Sequence, residues 1–212
     1  MMKEVDRYLK PTQIIDCDIG TIQKKAQQVT KGQGDIVEKT RNLFYFVRDE
    51  IKYNPFLPRY LPEHFRASNT LARKEGFCVQ KAVLLVALNR AVGIPGRLGF
   101  AVIRNYLLPE KVAEMLKTNV LPDHGYAELY IHGRWVKATP ALDIETCQKN
   151  RIIPVEFDGK NDAKFHSHNQ DGKLHIEYLL DRGSYEDVPI NEIQEWDASV
   201  LRPEAKCKIL GG

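Results

Sequence analysis

Between Cys78 and Gly93 the chain reads CVQKAVLLVALNRAVG, and no other stretch restricts the fold as strongly. The run is apolar and rich in alanine, which predicts a helix buried in a core. It stops at Gly93, with Ile94-Pro95-Gly96 beyond it, and a polar lead-in from Ala67 ends at Gly76. Cys78 falls on the first turn. A helix N-terminus carries partial positive charge and free N–H groups, both of which favour a thiolate over a thiol. The same N–H groups can receive an oxyanion. A nucleophilic cysteine on a buried helix therefore organises the reading of the rest of the chain.

Composition sets the frame. A chain of 212 residues is long enough for one large domain or a domain with an extension. Hydrophobic content of 43% and charged content of 28% are ordinary for a globular protein. The net charge of +3 comes from scattered basic residues and gives no reason to expect nucleic acid. No stretch approaches the ~18 consecutive apolar residues of a membrane span. The first residues, MMKEVDRYLKPTQ, hold no apolar signal core, so a cytoplasmic location without membrane partners is expected. The four cysteines, Cys17, Cys78, Cys147 and Cys207, are widely spaced. They form no CxxC pair, which argues against zinc and, in that compartment, against disulfides. Cys17, Cys147 and Cys207 are read as small buried hydrophobes.

The chain reads as a single α+β domain over 1–212, with a largely helical part at 1–62 and a peripheral C-terminal extension at 181–212. Residues 1–20 look extended and irregular. Ile22, Ala26 and Val29 mark a helix over 21–30. Asp35 caps a longer one, with Ile36, Thr40, Leu43, Phe44, Val47 and Ile51 on its inner face. Pro55, Pro58 and Pro62 make 53–62 a loop that serves either as a cleft wall or as a plain connection. Strands are expected at 97–103, 123–131, 134–138, 152–157 and 174–180, and short helices at 109–116, 144–150 and 190–196. His132-Gly133 between two alternating segments is a hairpin turn. His166, His168 and His175 sit near a polar loop without the spacing of a metal site. Leu210-Gly211-Gly212 reads as a loose tail.

A cysteine nucleophile needs a base, and the base an orienter. His124 opens the outgoing hairpin strand, sharing a face with Tyr126, Glu128 and Tyr130. If the two-residue turn holds, Ile131 pairs with Arg134 and His124 lies opposite Ala141, with Thr139 and Asp143 as diagonal neighbours. Asp143 could accept from one ring nitrogen and leave the other for Cys78. It could equally cap the following helix, and Pro140 threatens the pairing before residue 143. Trp135 is expected in the core beside the site, and Glu128 as a solvated strand residue.

These residues resemble the transglutaminase-like superfamily of papain-type fold. The matching pieces are Ala67-Ser-Asn-Thr-Leu71, Gly76-x-Cys78, Ala87-Leu-Asn-Arg-Ala-Val-Gly-Ile-Pro95, His124-x-Tyr126-x-Glu128-Leu-Tyr130 and Gly133-Arg-Trp135-Val136. The resemblance implies a nucleophile helix packed on an antiparallel sheet, with Cys78 attacking a carboxamide or peptide carbonyl and His124 as its base. It also implies an acid after the tryptophan strand, where this chain has Thr139. The segment Lys137-Ala-Thr-Pro-Ala-Leu-Asp143 resembles a bacterial branch that carries Thr-Pro-Ala followed by Asn or Asp. Asp143 is favoured as the orienter, because a charged acceptor stabilises imidazolium better than a hydroxyl. Thr139 is the alternative.

The expected function is cysteine-dependent acyl transfer on a peptide or protein amide through a thioester. Hydrolysis is favoured over transamidation because nothing marks a slot for a lysine. The mechanism calls for no cofactor and no metal, and no acidic loop suggests calcium. The competing reading is a non-catalytic module that binds a peptide or protein on the same fold. Oligomeric state is left open.

Overall fold

The computed structural model describes residues 2–200, with side chains from 4 to 197; Cys207 and the Leu210–Gly212 tail lie outside them. In chain order the elements are α1 (Met2–Val5), a 3-10 turn (Asp6–Leu9), α2 (Gly20–Val29), α3 (Ile36–Glu50), β1 (Lys52–Tyr53), α4 (Pro62–Phe65) and α5 (Ala67–Arg73). They continue with β2 (Glu75–Gly76), α6 (Cys78–Ala91), β3 (Gly96–Asn105), α7 (Glu110–Leu116), β4 (Val120–Ile131) and β5 (Arg134–Ala138). The last three are α8 (Ile144–Lys149), β6 (Ile176–Tyr185) and α9 (Ile190–Val200).

The run that opened the sequence reading forms α6, and every residue from Val79 to Arg90 is buried. A helix buried all round needs partners on all sides. The sheet strands β3 and β4 supply one, and α2, α3 and α5 supply the others. Its buried polar side chains find acceptors on neighbouring backbone. Lys81 Nζ donates to the carbonyls of Arg48 (3.0 Å) and Ile51 (2.5 Å), so it closes the C-terminal end of α3. At the far end, the Arg90 guanidinium donates to the carbonyls of Gly96, Lys10 and Glu186, joining three distant segments. Asp35 caps α3 as expected, accepting from the N–H groups of Val37 (3.0 Å) and Glu38 (3.3 Å).

The main sheet is antiparallel, with strand order β5-β4-β3-β6. His132 and Gly133 both take positive φ (48° and 84°), the primed turn that matches strand twist. Ile131 pairs with Arg134, and the register runs to Ala127 opposite Ala138. One face of the sheet, with Leu98, Phe100, Ala127, Leu129 and Ile131, shares the core of α6. The other face gathers Ala101, Ile103, Tyr126 and Ile176, with Phe165 and Tyr178 packed against them.

Several expectations are corrected. The lead-in at 67–73 is helical, and the first residues hold α1 and a 3-10 turn. No strand forms at 152–157, although Ile152, Val155 and Phe157 are buried. Pro154 cannot donate to a ladder, and side chains of α3 take the place of a neighbouring strand: Arg48 donates to Val155 O, and Tyr45 Oη accepts from Phe157 N. The strand expected at 174–180 is displaced and longer. It reaches Tyr185 and lies on the side of β3 away from β4, so 181–185 belongs to the sheet, and α9 then packs on β4.

Candidate active site

Cys78 is the first residue of α6. Phe77 precedes it in extended conformation, and Gln80 reaches back to accept from Phe77 N–H at 3.2 Å. The Gln80 amide also donates to the carbonyls of His64 (2.8 Å) and Pro58 (3.3 Å), pinning the Pro-rich loop to the nucleophile turn. Cys78 is half-buried, whereas Cys17 and Cys147 are buried free thiols.

Strand β4 meets this turn at Asp123–Gly125. A Cβ on Gly125 would lie 2.9 Å from the Val79 side chain and 3.1 Å from Val79 Cα, so glycine permits the approach. Pairing with β5 has already stopped at Ala127, leaving an open edge of β4, and the Gly125 N–H is directed at the Cys78 sulfur. The cysteine thus occupies the place where β5 would have continued. Opposite, the register with β3 shifts between Ala101 and Ile103, a bulge that leaves Pro122 and Asp123 without a partner in the ladder.

His124 precedes Gly125 and, by alternation, projects on the other face of β4, with Tyr126. It is fully buried, its ring 5.0 Å from Phe165, 6.1 Å from Tyr178 and 6.2 Å from Tyr126. Its Nε2 is enclosed without a hydrogen-bond partner. Burial lowers its pKa to about 3. The thiol is pushed up to about 11, mainly by burial and further by Asp123, against the Gly125 N–H, Arg59 and the Val79 N–H. Thiol and imidazole therefore rest neutral at pH 7.

Asp143 takes the capping role instead of the orienting one. Its Oδ1 accepts from Thr146 N–H (2.8 Å), and its Oδ2 from Thr146 Oγ1 (2.8 Å) and Tyr53 N–H (2.8 Å). No hydrogen bond joins it to His124. Pairing with β4 ends at Ala138, since Pro140 has no N–H to continue it, while Lys137 and Thr139 bond to Ala163 along the other edge of β5. Burial opposes ionisation of Asp143, but the Thr146 and Tyr53 hydrogen bonds and the Lys81 charge outweigh it and hold the carboxyl below its ordinary value. Thr139 is buried with its Oγ1 unpartnered, and it lies beside the Tyr178 hydroxyl that borders His124.

Sequence reasoning missed a charged group on the other side of the sulfur. Arg59, from the Pro-rich loop, reaches Asp123 at 3.4 Å and lies 4.5 Å over the Phe77 ring. Asp197, buried on α9, faces the same pair; burial and the Asp123 charge raise its carboxyl to about 8. The signal for Asp123 was its place beside His124, while Asp197 carried none. Two neighbours of the hairpin are also corrected. Glu128 is buried rather than solvated, accepting from Arg97 (2.6 Å) and Ser184 (2.8 Å). Trp135 stands six residues along the strand pair from the histidine, half-buried against Tyr8 and Arg97. His166 and His168 are exposed and His175 is buried, and no group of three metal-capable side chains gathers among the described residues. No helix of the described residues is long and apolar enough to cross a membrane.

The sequence profile of the transglutaminase-like superfamily matches residues 23–140, more than half of the 212. That span contains Cys78, His124 and Thr139 and ends before Asp143. Among solved structures, a "putative cysteine protease" from Cytophaga hutchinsonii superposes with a TM-score of 0.54 at 18% identity. The match covers 94% of this chain and 50% of that one, so the chain spans about half the length of that protein. A "putative protease" from Parabacteroides distasonis gives a TM-score of 0.41 at 16% identity, covering 64% of this chain and 25% of that one. No curated protein sequence matches the chain.

Proposed function

Because the chain belongs to the transglutaminase-like superfamily, we propose that it is a cysteine-dependent acyl-transfer enzyme that hydrolyses an amide or peptide bond through a thioester at Cys78. The observation that carries this reading is the approach of Asp123–Gly125 to the first turn of α6, with the Gly125 N–H on the sulfur. The His124 ring lies on the other face of β4 with no hydrogen bond to the sulfur, so proton exchange between the two is the step this proposal adds. Cys78 Sγ attacks the carbonyl carbon as its proton passes to the His124 imidazole. Proton transfer accompanies attack, because both partners start neutral. The oxyanion is received by the Cys78 N–H at the positive end of α6. Imidazolium then protonates the leaving amine, and the C–N bond breaks to give the thioester. Water loses a proton to His124, adds to the thioester carbon, and Cys78 leaves with that proton as a thiol.

Asp143 acts at one remove in this scheme, as a positioning residue that fixes the backbone of Tyr53, whose ring lies beside Cys78. Thr139, whose buried hydroxyl lies beside that of Tyr178 near the histidine, is the orienter this reading assigns. The uncharged resting pair is also what a non-catalytic binding module on this fold would carry, and turnover separates the two readings. The protein is given p-nitrophenyl acetate with and without a primary alkylamine. The enzyme reading expects release of nitrophenol that is lost in Cys78→Ala, with acetate as the main product even when the amine is present. Turnover that persists in Cys78→Ala overturns it, and acetylated amine as the main product replaces hydrolysis by transamidation.

A further inference from the structure

A cavity of about 460 Å³ opens one side chain away from the Cys78 sulfur, at the low end of ligand-pocket sizes. Tyr53 links the two: it faces Cys78 on one side and lines the cavity on the other. Pro55, Phe56, Leu107, Leu108, Val112 and Leu142 make an apolar wall, and Lys52, Asn105, Glu145, Lys149 and Asn150 a polar margin. The apolar residues come from the Pro-rich loop, the segment carrying α7, and the turn before α8. Val112 and Leu116 form a small cluster with Leu108, Met115 and Leu121, apart from the main core, so α7 stands as a separate apolar wall. Phe56 is 58% exposed, the highest value among the exposed large hydrophobics of the described residues. Pro55 and Phe56 also line an adjoining cavity of about 390 Å³ that includes Met115.

An exposed phenylalanine at the lip of a concave apolar site gains most by covering an apolar group. Resting on the acyl-transfer reading above, we propose that this groove is the specificity site of the enzyme, and that it takes an aromatic or branched aliphatic side chain of a peptide substrate flanking the reacting amide. Phe56 is the lid residue of that site, and Val112 and Leu142 form its walls. The apolar wall takes that side chain, while the polar margin of Lys52, Glu145 and Lys149 is left to the substrate backbone and solvent; the two Asp143 oxygens at the cavity are already engaged.

The test compares N-acetyl-Phe-Gly, N-acetyl-Gly-Phe and N-acetyl-Gly-Gly chloromethyl ketones as alkylating agents for Cys78, each rate divided by that of iodoacetamide on the same protein. A phenylalanine reagent should outpace the Gly-Gly reagent about tenfold or more, as burial of one aromatic side chain allows. Phe56→Ser should remove that preference and Phe56→Leu should retain most of it. A second readout is independent of thiol chemistry: saturation-transfer NMR of N-acetyl-phenylalaninamide on Cys78→Ser protein, with a contact that disappears in Phe56→Ser. Absence of both the preference and the contact overturns the groove, as does either one surviving Phe56→Ser unchanged. If the NMR contact holds while Cys78 is inert to every reagent, the binding site stands and the acyl-transfer reading falls.

Discussion

Two opposite charges lie beside Cys78, and their balance sets how readily the thiol ionises. Asp123 disfavours the thiolate and Arg59 favours it, while the pair holds itself together at 3.4 Å. Neutralising Asp123 as Asp123→Asn should lower the midpoint of Cys78 alkylation by about one pH unit, and Arg59→Gln should raise it by a similar amount. Following alkylation by mass against pH reads both, and shifts of the same sign would contradict this balance. Thr139 is the second lever. It lies beside Tyr178, which borders His124, and offers a hydroxyl where a carboxylate would stabilise imidazolium. Thr139→Asp should raise the basicity of His124 and speed alkylation of Cys78 at pH 7 severalfold, while Thr139→Val, which removes the orienting hydroxyl, should slow it. The choice between Thr139 and Asp143 was beyond a strand register counted on paper, because both fall diagonal to His124. Pairing of β5 with β4 ends at Ala138, and Pro140, with no N–H to donate, cannot extend it to residue 143. Cys78 was legible because it opens a helix with a strong pattern, and His124 because it lies in the alternating strand of the hairpin, although that strand begins earlier than expected, at Val120. Asp197 was not, since nothing local marks a helix residue whose importance comes from packing across the chain.

At the scale of elements, α6 and the open edge of β4 make the site together. Gly125→Ala places a methyl within 3.1 Å of Val79 Cα, and neither backbone can yield without moving the nucleophile turn. Its expected cost is about 1–3 kcal/mol in urea unfolding, with a fall in Cys78 reactivity at least as large as that of a distant destabilising change. Lys81→Met keeps the stem but leaves the carbonyls of Arg48 and Ile51 without their donor at the end of α3. Loss of about 1–3 kcal/mol is expected, and no change in the unfolding midpoint would show that the buried ammonium is dispensable. Elements governed by local pattern, such as α3 with its Asp35 cap, α6 and the His132-Gly133 hairpin, could be read from the chain itself. The segment 152–157 could not, because its alternation belongs to backbone bound by Arg48 and Tyr45 from a distant helix. The place of β6 beside β3 was equally hidden, since it depends on pairing across some seventy residues.

Across the whole molecule, two buried histidines make the fold sensitive to acid. Phe165 lies between them, 5.0 Å from His124 and 5.8 Å from His175. Both rings are almost wholly excluded from solvent. Burial lowers His175 to about 4, with the His166 charge adding to it, and His124 to about 3. The ordinary value is near 6.5. Between that value and about 4 the unfolded chain binds protons that the folded chain refuses, so stability is full above pH ~6.5 and drains as pH falls. Each histidine contributes at most about 1.4 kcal/mol per pH unit. Asp197 acts with the opposite sign, since its raised carboxyl keeps its proton in the folded state. The difference between wild type and His175→Leu isolates the histidine: the variant should lose less stability between pH 6.5 and 4.5, and parallel curves would contradict the burial account. A catalytic Cys78 must pass through the thioester. Protein exposed briefly to p-nitrophenyl acetate, quenched in acid and mapped by mass spectrometry, should carry one acetyl group on Cys78. The label should form far more slowly in His124→Gln and be absent from Cys17 and Cys147. Acetylation of Cys78 at an equal rate in His124→Gln, or none on Cys78, would contradict a catalytic cysteine served by that histidine.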